Sequence, residues 1–131
     1  MNTEVILNKF VTVSLIVVGL INFLPVIGLL GVKKLEATYK ISLASNDLII
    51  LMQHRALLFG LLGGFILYSV FVPLYQNAAI VMAAVSMIGF AALVHVLGSA
   101  NSAILKVLYV DYVGIFFLAL AIILKYGFEN G

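Results

Sequence analysis

The chain has 131 residues, 65% of them hydrophobic and 9% charged, with a formal net charge of +2. Soluble domains carry about 25% charged residues, so this chain has too few to cover a water-facing surface, and lipid is the expected solvent. Seven Lys and Arg form no basic stripe for nucleic acid, and the lack of cysteine excludes disulfides, thiolate metal sites and thiol nucleophiles.

Charge-free runs define the elements in chain order. Between Lys9 and Lys33 lie 23 residues without a formal charge, enough for one crossing, which takes about 20. This run exceeds the roughly 7–15-residue apolar core of a signal peptide, and no small-residue cleavage site follows it, so an uncleaved helix is expected. Pro25 removes an amide hydrogen and frees the Ile21 carbonyl, which predicts a kink beside Asn22. Next comes the one extended polar stretch, KKLEATYKISLASND (33–47). Lys33, Glu36 and Lys40 stand at i, i+3 and i+4 spacings, which predicts a short interfacial helix. Ser45, Asn46 or Asp47 is the expected cap of the following span. Fifty uncharged residues then separate Arg55 from Lys106. That is too many for one crossing, and VPLYQN (72–77) divides them. The spans therefore fall near 8–31, 47–72, 77–99 and 104–126. The expected fold is all-α: an integral membrane four-helix bundle, one domain over 1–131, without repeats or linkers.

Basic residues orient the bundle. The loops at 31–47 and 99–105, with the adjoining helix ends, hold Lys33, Lys34, Lys40, Arg55 and Lys106, against Lys9 and Lys125 on the other side. The positive-inside rule then predicts a cytoplasmic first loop and both termini outside. Tyr68, Tyr75 and Tyr126 would mark the outer interface, and Tyr39 and Tyr109 the inner one.

With that topology the polar residues share a depth. His54 and Arg55 lie about 10 Å into the second span at 1.5 Å per residue. His95 falls near the inner end of the third, Asp111 at a similar level on the fourth, and Asn22 deeper on the first. Charges at such depth usually face the bundle interior and pair. Arg55 or Lys106 is the expected partner of Asp111, and arginine suits the role because it can bind a carboxylate through two parallel hydrogen bonds. On the second span His54 and Arg55 share a stripe with Leu51, Leu58 and Leu62. Ala56, Gly60 and Gly64 form a small-residue ridge nearly opposite, which predicts contact with another copy in a homo-oligomer. Simpler roles compete: Arg55 as a snorkelling side chain, both histidines as hydrogen-bonded bundle residues, Asn22 as part of the kink. Two histidines and Asp111 make at most a three-ligand set, so no metal site is expected.

LMQHRALLFGLLGG (51–64) and VSMIGFAALVHVLGSANSAILKVLYVDYVGI (85–115) together resemble a family of small four-helix bacterial inner-membrane proteins of unknown function. The resemblance covers about residues 30–118 and is strongest around His54-Arg55, Asn101 and Asp111. It implies a bacterial inner-membrane location and adds Asn101 to the candidate cluster. Some members carry the label phosphopantetheine adenylyltransferase. This chain has no phosphate-cradling glycine loop and no soluble α/β nucleotide-binding domain, so that activity is not expected. In architecture the chain is also similar to styrene oxide isomerase, a small four-helix membrane enzyme that holds haem b through an intramembrane histidine between subunits. That similarity implies His54 as the haem candidate.

Three functions stay open. The first is a binding or structural membrane protein whose inner-leaflet polar cluster fixes the fold or holds a lipid-like or apolar ligand. The second is an enzyme on an apolar substrate, with His54 or His95 as haem ligand or acid–base. The third is a proton-coupled carrier relaying through Asp111, His54 and His95. The chain lacks a nucleophile triad spacing and an HExxH motif, and four short spans leave little room for a transport pathway, which favours the first.

Overall fold

The computed structural model describes residues 3–98 and 100–127. Helix α1 runs Thr3–Phe23 and continues as a 3-10 stretch, Leu24–Leu30. A short helix α2 (Val32–Tyr39) precedes α3 (Asn46–Phe71), a 3-10 turn (Pro73–Tyr75), α4 (Gln76–Leu97) and α5 (Ser102–Ile122), which ends in a π turn, Ile123–Gly127. Among the described residues there is no strand. Four stretches are long and apolar enough to cross a membrane: Thr3–Leu30, Asn46–Phe71, Pro73–Leu97 and Ser102–Gly127. The expected spans are therefore present, with ends moved by a few residues. Position 99, where the third was expected to stop, lies outside the described residues.

Local chemistry explains the boundaries. Pro25 cannot donate an i→i−4 bond, and the chain tightens into 3-10 geometry from Leu24 onward. Gly31 then takes φ 154°, ψ 164°, a conformation essentially reserved for glycine, and turns the chain from the first span into α2. Leu35 and Tyr39 bury one face of α2 while Lys33 and Lys34 stay exposed, the amphipathic pattern of an interfacial helix. Ser45 caps α3, its hydroxyl accepting from the Leu48 N–H at 3.2 Å. Gly98 ends α4 in the left-handed region, φ 75°. Asn101 caps α5 by accepting from the Ile104 N–H at 2.9 Å.

The spans alternate in direction around a closed square. Each of α1 and α4 packs against both α3 and α5, so α1 and α4 stand on one diagonal. The core between them is apolar and small-featured: Leu15 and Val18 from α1, Ile66 from α3, Ala79, Ala83 and Met87 from α4, Leu118 and Ala121 from α5. Outward-facing residues are also apolar, Phe71, Leu74 and Val96 being 80% exposed or more, as lipid contact requires. With no hydrophobic drive between helices in lipid, close approach must come from small residues. Gly63 supplies it: a Cβ there would fall on the backbone nitrogen and Cα of Phe23.

The two ends of the bundle differ. At one, Lys125 donates to Gln76 at 2.6 Å and Tyr126 donates to Asn77, joining the last turn to the α3–α4 hairpin. At the other, α2 packs over the bundle through a second apolar cluster of Leu35, Tyr39 and Leu43, joined by Met52, Ile104 and Val107.

Candidate functional site

Beneath α2 the four spans leave a pocket of about 390 Å³. Its walls come from every span and from α2 itself: Asn22 on α1, Arg55 and Phe59 on α3, Phe90 on α4, Lys106 and Asp111 on α5. The size is within the roughly 300–1,000 Å³ of small-molecule sites, and a mostly apolar wall carrying a few polar groups is their usual character. Lys40, Arg55 and Lys106 bring three positive charges to it and Asp111 one negative charge.

Arg55 is held by α2. Its guanidinium donates to the Tyr39 hydroxyl at 3.0 Å and lies 5.3 Å from the Tyr39 ring centroid and 4.7 Å from that of Phe59. A cation over an aromatic face gains about 0.5–2 kcal/mol, more where water is excluded. This clamp decides the expected Arg55–Asp111 pair. The two residues line one pocket and interact electrostatically, but they do not meet in an ion pair; the guanidinium is hydrogen-bonded instead to Tyr39 of α2 and stacked on Phe59 of its own helix. Asp111 itself makes no hydrogen bond or ion pair among the described residues. Since no buried side-chain oxygen lacks a partner, its carboxylate oxygens are not sealed in the interior, and the residue is part of the pocket wall.

The remaining candidates separate. His54 is exposed on the outside of α3, away from the pocket that its neighbour Arg55 enters. Successive helical residues point about 100° apart, so adjacency in sequence does not make a pair of site groups. His95 is exposed as well, and its Nε2 is hydrogen-bonded to the Tyr112 hydroxyl on the other flank of α5. Neither histidine lines the pocket. Among the described residues no group of three or more His, Asp or Glu could hold a metal ion.

Both asparagines have structural partners. Asn22 is 2% exposed and donates to the Val18 carbonyl at 2.8 Å, one turn back, while accepting from the Ser86 hydroxyl at 3.4 Å. It lines the pocket, yet its amide is committed to the kinked first span. Asn101 clasps α2: its side-chain nitrogen donates to the carbonyls of Tyr39 at 2.7 Å and Lys40 at 3.0 Å. These are the last carbonyls of α2, left open where Lys40 enters the left-handed region at φ 51°. Lys40 then reaches Ser102 at 3.1 Å, so three contacts lock α2 to the start of α5.

The small-residue ridge packs mainly within the protomer. Ala56 is 2% exposed against Gly28, and a Cβ at Gly60 would lie 2.7 Å from Val26. Those residues bring α3 against this chain's own first span, and of the ridge only Gly64 has open space beside it. Tyr39, Phe59 and Phe90 belong to the pocket without having been singled out as site residues.

No protein-family model matches the chain, and no curated protein or solved structure matches it either.

Proposed function

We propose that this chain is a membrane-embedded binding protein that takes a lipid-like amphiphile into the pocket beneath α2. One observation carries the reading: an apolar cavity of about 390 Å³ whose charged groups, Arg55 from α3 and Asp111 and Lys106 from α5, line it without pairing with each other. Charges inside a bundle are costly, and those that remain unsatisfied by the protein usually mark a ligand or ion path. In this reading the α2 end faces the cytoplasm of a bacterial inner membrane and both termini lie outside. The five-to-two excess of Lys and Arg at that end supports it, as does the resemblance carried by residues 51–64 and 85–115.

Filling the pocket tests the proposal. Val107 lines it from α5 and is half-buried, so Val107→Trp places an indole in the cavity without breaking a hydrogen bond. Wild-type protein purified in mild detergent should retain a single-chain amphiphile detectable by native mass spectrometry and lipid extraction, and the folded Val107→Trp variant should retain little. Equal retention by both proteins, or none by either with no rebinding of added lysolipid, refutes it.

A further inference from the structure

We infer that the pocket selects a single-chain lipid with a phosphoethanolamine-type headgroup, its phosphate against Arg55 and its ammonium against Asp111. The inference rests on the amphiphile-binding reading above and goes further by naming the headgroup.

Three features of the walls carry it. First, both signs of charge line one space without meeting in an ion pair. Arg55 is fixed by Tyr39 and Phe59, and Asp111 has no hydrogen-bond or ion-pair partner among the described residues. A headgroup lying between them must therefore present acceptors to one and donors to the other. Second, among the described residues no cation is hydrogen-bonded or ion-paired to Asp111, and Arg55 acts on it only through its longer-range field. Lys40 is bonded to Ser102, and Lys106, five residues earlier on α5, is offset by about 140° around the helix and exposed. A ligand ammonium with N–H donors supplies what the carboxylate lacks, and charge-assisted bonds of this kind are about twice as strong as neutral ones. Third, the positive side is the richer one. Arg55 and Lys106 in the wall against a single carboxylate suit a phosphate, with its several acceptor oxygens, better than a single-charge carboxylate.

Size limits the tail. At about 390 Å³ the cavity stands near the lower end of the roughly 300–1,000 Å³ of small-molecule sites. It admits a headgroup and the first carbons of one chain, not two chains side by side. The rest of the tail would leave past the apolar residues Ile21, Leu24 and Ile27 of the first span.

The test compares headgroups on one acyl chain. Delipidated full-length protein in detergent is titrated with lysophosphatidylethanolamine, its N-acetylated form, lysophosphatidylcholine and lysophosphatidic acid, and bound ligand is counted by native mass spectrometry. Lysophosphatidylethanolamine should bind about tenfold or more tighter than the N-acetyl and choline forms, since it alone joins phosphate to an ammonium with N–H donors. Asp111→Asn should abolish that preference, Asp111→Glu should keep most of it, and Arg55→Gln should weaken all four ligands. Equal binding of the four by wild-type protein, or tightest binding of lysophosphatidic acid, overturns the zwitterionic headgroup and leaves the amphiphile pocket standing. A preference that survives in folded Asp111→Asn protein overturns it too. Binding of none removes both readings. The wild-type comparison needs no variant, so a misfolded substitution cannot hide the answer.

Discussion

Asn101 is the residue on which the position of α2, and hence the wall of the pocket, depends most directly. Its side chain makes three hydrogen bonds: the oxygen accepts from Ile104, and the nitrogen donates to Tyr39 and Lys40. Loss of an N-cap costs about 0.5–2 kcal/mol. Loss of each amide–carbonyl bond costs about 0.5–1.5 kcal/mol net, and more when the abandoned carbonyl is kept from water. Asn101→Ala should therefore destabilise the protein by about 2–4 kcal/mol. Asn101→Ser separates the terms, because serine caps well but is too short to reach the carbonyls of α2. It should lose about 1–3 kcal/mol. Ser45→Ala is the control, removing a single exposed cap bond for about 1 kcal/mol. Unfolding of the purified protein in detergent, by circular dichroism against heat or denaturant, gives the ranking. Should Asn101→Ala cost no more than Ser45→Ala, the clasp on α2 contributes nothing and the reasoning fails.

Glycine substitutions separate the two sides of α3: Gly63→Ala should prevent normal folding, because its Cβ meets the Phe23 backbone, whereas Gly64→Ala should be neutral or stabilising by up to about 1 kcal/mol. Equal effects in expression and unfolding assays would contradict the packing of α1 on α3. Tyr39→Phe removes the acceptor of the Arg55 guanidinium but keeps the ring, and should cost about 1.5–3 kcal/mol, as for a hydrogen bond to a charged group; an unchanged unfolding curve would mean that the rings alone hold Arg55. Cysteine at exposed Ser42, in the loop after α2, should resist a membrane-impermeant thiol reagent in intact cells, while cysteine at Leu74 in the opposite hairpin should react. The reverse labelling would invert the orientation.

The spans were legible because lipid imposes a coarse rule: a crossing must be long and nearly free of charge, and Lys9, Lys33, Arg55 and Lys106 punctuate the runs accordingly. The interfacial helix was legible from its charge spacing, and the α3 cap from a short list that included Ser45. Rotation about each helix was much less so. The histidine and arginine at 54–55 lie at one depth, but about 100° of helical turn sends one outward and the other into the pocket. Spacing of Ala56, Gly60 and Gly64 announced a close helix approach, expected with another copy and made mainly with this chain's own first span. That neighbour depended on Val26 and Gly28, placed by the proline-driven 3-10 segment. Tyr39 and Phe59 were hidden for another reason: near a membrane interface, an aromatic residue reads as an anchor or as lipid-facing bulk, and nothing in the residue type signals an arginine clamp.

How the polar groups divide between fold and pocket follows from the range of their interactions. A neutral amide needs partners within about 3 Å and gains little beyond that distance. Asn22 and Asn101 are accordingly absorbed by backbone carbonyls where helices kink or end, at Val18, Tyr39 and Lys40. A charge acts over a longer range and loses far more on leaving water, so the fold stabilises it only by committing a full counter-charge or several dipoles to it. At Arg55 the chain commits one hydroxyl and two rings, and at Asp111 no hydrogen bond or ion pair among the described residues, only the field of Arg55. Opposite charges serving only stability would be expected to meet each other in a direct pair. Here Arg55 is hydrogen-bonded to Tyr39 and stacked on Phe59 instead, and both charges line the same space. The arrangement is more readily explained by something that enters between them than by packing alone.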